Sequence, residues 1–181
     1  MERNEALNLV REKVKNENLR KHMLATEACM RKLAKYFGED EERWGLCGLL
    51  HDLDYDETAK TPEVHGLKTV EWLKEKGIEE GILSAILAHN CHKPTESLLE
   101  KALYTVDPLT GLIVASALMH PDKKLNSVDK DFVLRRFKEK KFAAGANREQ
   151  IKSCEGMGIS LEDFVEICLK AMQEIAADLG L

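Results

Sequence analysis

The chain of 181 residues is predicted to fold as a single all-α domain, a bundle of helices. Only 6% of its residues are aromatic, whereas Leu, Ala, Glu and Lys are abundant, and straight-chain side chains lose little rotamer freedom on a helix. Apolar residues recur at steps of three and four, and no window alternates with the period of two that is typical of strands. No proline- or serine-rich linker divides the chain, so we predict one domain over residues 1–181.

The first helices are predicted from their periodicity and their end signals. The apolar pattern over residues 17–37 predicts a long helix, and Gly38 is well placed to end it. Asp40 is the predicted N-cap of the next helix. That helix carries a run of apolar residues and should stop at the acidic stretch 52–57.

Two further helices are predicted in the middle of the chain. Thr61 followed by Pro62 predicts the N-cap and the first turn of a helix that ends at Gly77. Another short apolar helix is expected from residue 79 to about residue 89. Both carry apolar residues at helical spacing and should contribute to one core.

The most apolar part of the chain lies between residues 97 and 120. A stretch that is apolar almost all round is typical of a buried element, so we predict a central helix pair that is interrupted or kinked at Pro108. Towards the C-terminus, Ser160 with Asp163 resembles a capping box and predicts the start of the last helix.

Composition and charge narrow the functional classes. A net charge of −5 argues against a broad basic face for nucleic acid, although it allows one local basic pocket for a small phosphorylated ligand. No apolar run approaches the roughly 20 residues that a membrane span needs, and the charged N-terminus has no apolar stretch behind it. We therefore expect a cytoplasmic protein without membrane contacts. Five cysteines without CxxC spacing are expected to be free thiols: Cys29, Cys47, Cys91, Cys154 and Cys168.

The sharpest local feature is the pair His51 and Asp52, which directly follows an apolar helical stretch. Neighbouring residues on a helix point about 100° apart, so two such side chains converge on one ion most easily where the helix is ending. The C-terminal end of a helix carries partial negative charge, which favours a bound cation. Imidazole beside carboxylate suits Fe, Mn, Co, Ni or Zn far better than Ca.

A lone His-Asp pair is a weak signal, but two further residues strengthen the metal hypothesis. His22 borders the apolar stripe of the first long helix, where a buried histidine needs a partner such as a metal. Asp107 lies in the most apolar part of the chain, where an ionised carboxylate costs several kcal/mol unless it is paired or bound to a metal. A salt bridge is the alternative for Asp107, but cationic residues nearby are few.

The order His22, then His51 and Asp52, then Asp107 resembles the H…HD…D signature of the HD superfamily of metal-dependent phosphohydrolases. The resemblance spans roughly the first two thirds of the chain. The ordered set of four is far more specific than any one member. It implies that these residues hold a divalent transition metal, which would be Fe, Mn, Co, Ni or Zn.

Binuclear members of the superfamily add two histidines between the HD pair and the final Asp. His65 and His89 match them in order and context, so the resemblance implies one or two metal ions with Asp52 as the bridge. His65 and His89 could instead contact substrate phosphate. The resemblance also implies a metal core over about residues 17–120 and C-terminal helices over about residues 127–181.

Two departures from the family pattern bear on the substrate. Many relatives read His-Asp-Ile-Gly, whereas this chain continues with Leu53 and Asp54 after the HD pair. The GYP signature of cyclic-di-GMP phosphodiesterases is absent, since Asn90 follows the last matched histidine, and this argues against a cyclic-di-GMP substrate. His92 and His120 are expected to be ordinary surface or loop histidines.

Three acidic residues, Asp54, Asp56 and Glu57, directly follow the HD pair. The interpretation that we favour is a solvated loop. The alternative gives Asp54 a functional role, either as a general acid for the leaving oxygen or as a partner that orients a histidine ligand.

Residues 135–148 form the only basic cluster in an acidic protein. Such a run is usually a solvated helix face. It ends, however, in a small-residue turn that places Arg148 near a helix start, and helix N-termini together with Arg bind phosphate well. Similar segments follow the metal core in members of the HD superfamily, so Lys138, Lys141 and Arg148 are predicted to contact substrate phosphate.

The residues and the resemblance together predict a metal-dependent phosphohydrolase, either a phosphomonoesterase or a phosphodiesterase. Its substrate is expected to be a nucleotide or another small phosphorylated metabolite, hydrolysed through a metal-activated water. Two alternatives stay open: a di-iron oxygenase on the same fold, and a non-catalytic helical signalling module. The candidate catalytic residues are Asp52, His65, His89 and Asp54.

Overall fold

The computed structural model describes residues 1–181, and every regular element in it is a helix, which confirms the all-α prediction. Short 3₁₀ helices lie at Pro62–Val64, Leu125–Ser127 and Ser153–Met157. The α-helices are α1 (Arg3–Lys13), α2 (Glu17–Phe37), α3 (Glu41–Leu50), α4 (Tyr55–Thr58), α5 (Leu67–Glu75), α6 (Glu80–His89), α7 (Leu98–Met119), α8 (Lys130–Lys138), α9 (Arg148–Lys152), α10 (Leu161–Glu174) and α11 (Ala176–Leu179).

One hydrophobic core holds these helices together. It contains 46 buried residues, which run along the chain from Ala6 to Leu179. Helix α2 lies at its centre and packs against α3, α7 and α10. The largest fully buried side chains include Trp44 on α3 and Phe164 on α10. Residues from both ends of the chain therefore share one interior.

Local end signals explain where α2 and α3 begin and end. The side chain of Asn16 caps α2, and Gly38 ends it with a left-handed φ of 74°. The side chain of Asp40 caps α3, and the helix stops at Leu50, which makes His51 its C-cap residue. The predicted ends at Gly38 and Asp40 are confirmed, and the HD pair lies at a helix end as expected.

The helix predicted to begin at Thr61 and Pro62 is divided in two. Pro62 begins only a 3₁₀ turn, and the Thr61 side chain makes no capping hydrogen bond. Gly66, with a φ of 85°, then redirects the chain into α5. The predicted boundary is wrong because this left-handed glycine breaks the helix, and the break leaves His65 between the two elements.

Helix α7 is one continuous helix of 22 residues, so the predicted interruption at Pro108 is absent. A proline within a helix removes the amide that would donate to the carbonyl four residues earlier, here the carbonyl of Tyr104. The side-chain amide of Gln150 donates to that carbonyl at 2.7 Å. The side chain of Gln150, from the C-terminal part of the chain, thus replaces the amide donor that Pro108 lacks, and α7 continues through Pro108 to Met119.

Helix α7 is the one helix that is long and apolar enough to cross a membrane, so the expectation that no apolar run approaches that length is wrong. Within its most apolar window, 56% of the residues are buried inside the protein. The central helix of a packed core meets the same criterion, so this is weak evidence for a membrane span.

The remaining helix predictions differ from the structure only at single residues. Helix α6 begins at Glu80, one residue after the expected start, and ends at His89. Ser160 caps α10 by accepting from the amide of Asp163. The Asp163 carboxylate accepts from the Ser160 hydroxyl at 2.8 Å rather than from its backbone, so only the first half of the predicted capping box forms.

The close approach of α3 to α2 depends on Gly48. A Cβ atom at this position would lie 2.9 Å from the backbone carbonyl of Thr26 and 3.0 Å from the Cα atom of Glu27. Backbone atoms cannot move aside as the end of a flexible side chain can. The Gly48 carbonyl also accepts a hydrogen bond from Nδ1 of His51 at 2.8 Å, so this contact fixes the end of α3 that carries the HD pair.

Replacing Gly48 with Ala is expected to destabilise the protein. The added methyl group must push α2 and α3 apart, and such overpacking costs about 1–3 kcal/mol of unfolding free energy. The control is Gly111→Ala on α7, where a Cβ meets nothing within 4 Å and the change should stabilise by up to about 1 kcal/mol. Urea denaturation of both variants measures the difference, and equal effects would contradict the close-contact interpretation.

Candidate metal centre

Four polar side chains from three helical elements meet at one place in the interior. His22 lies on α2, His51 and Asp52 follow α3, and Asp107 lies on α7. The Nε2 atom of His22 is 3.2 Å from that of His51 and 3.1 Å from Oδ1 of Asp107. It is also 3.6 Å from Oδ2 of Asp52. The residues that form the H…HD…D order along the chain are therefore adjacent in space.

A second set of ligand atoms lies on the other side of Asp52. His65 follows the 3₁₀ turn at Pro62–Val64, and His89 is the last residue of α6. Their Nε2 atoms are 3.1 Å apart. These atoms lie 3.1 Å and 3.5 Å, respectively, from Oδ1 of Asp52. The structure thus brings both additional histidines to the same place.

Asp52 joins the two sets. Its Oδ2 atom faces His22 of the first set. Its Oδ1 atom lies 3.3 Å from His51 of the first set and also faces His65 and His89 of the second. The Asp52 side chain is only 8% exposed, so these histidines are its main polar surroundings. A carboxylate in contact with both ligand sets would be shared by two ions if both were bound. We refer to the following six residues as the metal centre: His22, His51, Asp52, His65, His89 and Asp107.

His51 and His89 are oriented by the helices that carry them. In each ring Nδ1 donates to the backbone carbonyl three residues earlier, that of Gly48 for His51 and that of Ile86 for His89. Because a carbonyl oxygen only accepts, Nδ1 carries the proton and Nε2 presents its lone pair to the metal centre. The ring orientation and tautomer are thus set by the protein itself.

Thr110 holds His22 in the same tautomer. The Thr110 hydroxyl donates its hydrogen to the backbone carbonyl of Asp107 at 2.9 Å, so it accepts from Nδ1 of His22 at 3.0 Å. Nε2 of His22 then presents a lone pair to the metal centre. One hydroxyl therefore links the His22 ring to the backbone turn that carries Asp107.

Asp54 is buried behind His65 and does not lie in the solvated loop that we favoured. Its carboxylate accepts from Nδ1 of His65 at 2.8 Å and from the amides of Gly66 and Thr69 at 2.8 and 3.2 Å. Burial alone would raise the pKa of Asp54, but these three partners lower it. A carboxylate that stays ionised cannot act as a general acid, so this geometry fits a residue that orients His65.

The other polar residues expected at the surface lie outside the metal centre. Asp56 and Glu57 are exposed, and His120 is half-buried as the C-cap residue of α7. His92 is exposed, yet its Nε2 atom donates to the backbone carbonyl of His65 at 2.6 Å. His92 therefore supports the segment that carries a metal-centre residue, a contact that no sequence signal indicated.

The spacing of the ligand atoms fits transition-metal ions. Zinc lies about 2.0–2.1 Å from an imidazole nitrogen, so two ligands of one ion are about 3.0 Å apart at an octahedral edge and about 3.4 Å at a tetrahedral one. The contacts within the two sets lie between 3.1 and 3.6 Å, except that His51 Nε2 and Asp107 Oδ1 are 4.0 Å apart. Imidazole and carboxylate without thiolate suit Fe, Mn, Co, Ni or Zn. The residues present therefore fit one or two such ions.

The carboxylates give the metal centre a negative charge. Burial alone would raise the pKa of Asp52, but three neighbouring histidines lower it well below its ordinary value. Burial would also raise the pKa of Asp107, and His22 lowers it. Conversely, burial would lower the pKa of His65, but Asp52 and Asp54 raise it to about 10. An environment that holds a proton this strongly attracts other cations as well, so metal ions and protons compete for the centre.

The metal centre opens into a cavity of about 450 Å³, and neither Lys nor Arg lines it. Cavities of this size accept small metabolites. Half of the residues in the wall were not predicted to belong to the site, because no motif in the sequence marks them. The missed residues are Leu19, Tyr55, Asn90, Cys91 and Gln150.

The family model of the HD domain matches residues 19–129. This range is more than half of the chain and contains the whole metal centre. The chain belongs to the HD-domain family. The resemblance found in the sequence is thereby confirmed, and with it membership of a family of metal-dependent hydrolases. No match was found among curated proteins or among solved structures.

The basic residues predicted to bind substrate phosphate lie beyond the matched HD domain, and none lines the cavity. Lys138 and Lys141 are exposed. The guanidinium of Arg148 donates to backbone carbonyls at the end of α8 and in the loop that follows it, including those of Phe137 at 3.0 Å and Ala146 at 2.6 Å. All three of its nitrogens have such partners. In this structure Arg148 therefore closes a loop instead of facing a phosphate site.

Arg148→Ala should lower the stability of the HD-domain protein. Hydrogen bonds from a charged group contribute about 1.5–3 kcal/mol, and several loop carbonyls would lose their donor together. Arg148→Lys should recover little, since an ammonium group cannot reproduce the planar fork. The control, Lys141→Ala, removes an exposed side chain and should stay within about 0.5 kcal/mol of wild type. If chemical denaturation shows Arg148→Ala to be as stable as Lys141→Ala, the loop-closing role is wrong.

The metal content of the purified protein tests the two ligand sets. His89→Ala removes a ligand from one set only, so bound Mn²⁺ or Co²⁺ should fall from about two ions per chain to about one. Asp52→Ala removes the bridge and should abolish tight binding of both. His120→Ala, outside the metal centre, is the control and should retain both ions. Elemental analysis gives the counts, and an unchanged count in His89→Ala would return this histidine to a substrate-binding role.

Proposed function

We propose that this HD-domain protein hydrolyses a phosphate ester of a nucleotide or of another small phosphorylated metabolite. The observation that carries the proposal is the convergence of four imidazole Nε2 atoms and two carboxylates at one place beside a cavity, with Asp52 between the two sets. Bound divalent ions supply Lewis acidity towards both the attacking water and a phosphoryl oxygen. His22, His51 and Asp107 would hold one ion, and His65 and His89 the other.

The charges of the cavity explain why an anionic substrate would need those ions. Asp52 and Asp107 are held in their ionised forms, and no cationic Lys or Arg lines the wall. Like charges repel, so these two carboxylates disfavour phosphate, and the protonated His65, whose pKa is raised to about 10, offsets them only in part. The same carboxylates attract cations, and a phosphate can be accommodated once their charge is balanced. Substrate binding is therefore expected to depend on metal.

His65 has a defined orientation whichever role it takes. Asp54 and the buried Thr58 hydroxyl surround its Nδ1 atom, at 2.8 and 3.3 Å. Nε2 is left facing Asp52 and the cavity. It can bind the second ion, or it can donate to a phosphoryl oxygen when that ion is absent. Asp54 supports both roles by fixing the ring.

The cavity walls suit a substrate with an organic part larger than phosphate. Tyr55 lies edge-on to the His65 ring, with the ring centroids 5.1 Å apart, and is 42% exposed. An aromatic ring at the mouth of a cavity of about 450 Å³ offers a contact surface for a base or sugar. We infer that Tyr55 contacts the part of the substrate that does not react.

A phosphatase screen of metal-loaded protein tests the proposal. We expect hydrolysis of at least one nucleotide, sugar phosphate or phosphodiester in the presence of Mn²⁺, Co²⁺, Ni²⁺, Fe²⁺ or Zn²⁺. Asp52→Asn should abolish the activity. Asp54→Asn keeps the shape of the side chain and should lower kcat/KM by about 10- to 100-fold, since loss of a residue that orients a metal ligand has effects of that size. Glu57→Gln, an exposed neighbour, is the matched control and should retain wild-type kinetics.

The same experiment separates the two alternatives. A coloured protein that contains two irons and consumes oxygen, but releases no phosphate, would be an oxygenase on this fold. A chain that binds none of the five metals would be a non-catalytic module. Equal activity of the Asp54→Asn and Glu57→Gln variants would remove Asp54 from the site.

A further inference from the structure

The helix that carries Asp107 contains a proline directly after it. Pro108 lies inside α7 and has no amide hydrogen, so the Tyr104 carbonyl has lost its usual partner within the helix. An unpaired buried carbonyl is costly, and a proline in this position ordinarily bends or breaks a helix. The backbone turn from Tyr104 to Pro108 therefore lacks one hydrogen bond within α7, and it is the turn that presents Asp107 to the metal centre.

Gln150 supplies the missing donor. Its Nε2 atom is 2.7 Å from the Tyr104 carbonyl oxygen, although the two residues are far apart in sequence. Gln150 also lines the cavity of the metal centre. Its side chain is therefore placed between the cavity and the turn that carries Asp107.

The C-terminal segment is folded so as to hold Gln150 in place. The side chain of Asn147 accepts hydrogen bonds from the amides of Glu149 and Gln150. Ile151, the next residue, is fully buried in the core. Arg148 donates hydrogen bonds to carbonyls at the end of α8 and in the loop before α9. The basic segment of residues 135–148 was predicted to contact substrate phosphate. In the structure its contacts hold α9, which carries Gln150.

The Asp107 carboxylate depends on its backbone for its position. Its side chain is 30% exposed, and its contacts in the protein are with histidines of the metal centre: Oδ1 lies 3.1 Å from His22 and 4.0 Å from His51. The turn itself is held by Thr110 from within α7 and by Gln150 from outside. Loss of either contact removes one of these two side-chain hydrogen bonds to the turn that carries Asp107.

We propose that Gln150 is a positioning residue for Asp107, acting as a substitute for the amide that Pro108 lacks. This inference rests on the metal centre of the proposed function, and it gives the region beyond the matched HD domain a role in that centre. It also explains how Asp107 keeps its position although Pro108 follows it. Gln150 on α9 supplies the hydrogen-bond donor that Pro108 lacks.

A double-mutant cycle tests the inference through the affinity for Co²⁺. Gln150→Met keeps the length of the side chain and removes the donor, and we expect it to weaken Co²⁺ binding by about tenfold. Pro108→Ala restores a backbone amide for the Tyr104 carbonyl. In that background Gln150→Met should change the affinity by less than threefold, because the carbonyl already has its partner. Titration followed by the Co²⁺ absorption spectrum measures the four affinities.

Gln173→Met is the matched control, because Gln173 also donates through Nε2 to backbone carbonyls, those of Leu125 and Val128 at 3.1 and 2.9 Å, but does not line the cavity. It should lower the melting temperature and leave Co²⁺ affinity unchanged. The quantity to compare is the factor by which Gln150→Met weakens Co²⁺ binding. The proposal is overturned if this factor in the wild-type background is less than three times the factor in the Pro108→Ala background. If Gln150→Met alone does not fold, recovery of folded protein by Pro108→Ala supports the proposal, and failure to recover it counts against it.

The outcome is independent of the hydrolase assays. A wild-type protein that binds Co²⁺ but hydrolyses no phosphate ester would end the proposed function and leave the cycle interpretable. Tight Co²⁺ binding with equal effects of Gln150→Met in both backgrounds would end only the positioning role.

Discussion

The buried carboxylate of Asp52 needs polar partners, and the packing of the surrounding helices supplies them. An ionised group with 8% exposure costs several kcal/mol in an interior unless partners compensate it. Those partners are histidines from α2, from the end of α3, from the break before α5 and from the end of α6. Four separate segments must therefore reach one point. The way in which α2, α3 and α6 meet satisfies that need as well as burying their apolar faces.

Helix ends solve two problems at this centre together. The last carbonyls of a helix have no donor within it, and a metal-binding histidine needs an acceptor for its outer nitrogen. His51 and His89 both lie at the ends of their helices, and each donates to one of those final carbonyls. The absence of a side chain at Gly48 lets α3 come close enough to α2 for this arrangement to face His22.

The region beyond the matched HD domain completes the centre indirectly. Its basic residues do not reach the cavity, and its most distinctive cation, Arg148, binds the carbonyls of its own loop. What the region does contribute to the cavity wall is Gln150, through a hydrogen bond to α7. A cationic side chain that suggests phosphate binding in the sequence can therefore serve instead as a donor to backbone carbonyls that have no other partner.

The sequence by itself determined the all-α class and most of the helix ends that were predicted from it, because periodicity and capping residues are local. Its resemblance to the HD superfamily indicated the six residues that the structure brings together, because their order along the chain is part of that resemblance. The sequence did not reveal the break at Gly66, the continuity of α7 through Pro108, the buried position of Asp54 or the part played by Arg148. Each of these depends on a partner from a different segment. Whether a carboxylate is solvated, a carbonyl satisfied or a guanidinium free is decided only when distant segments pack together.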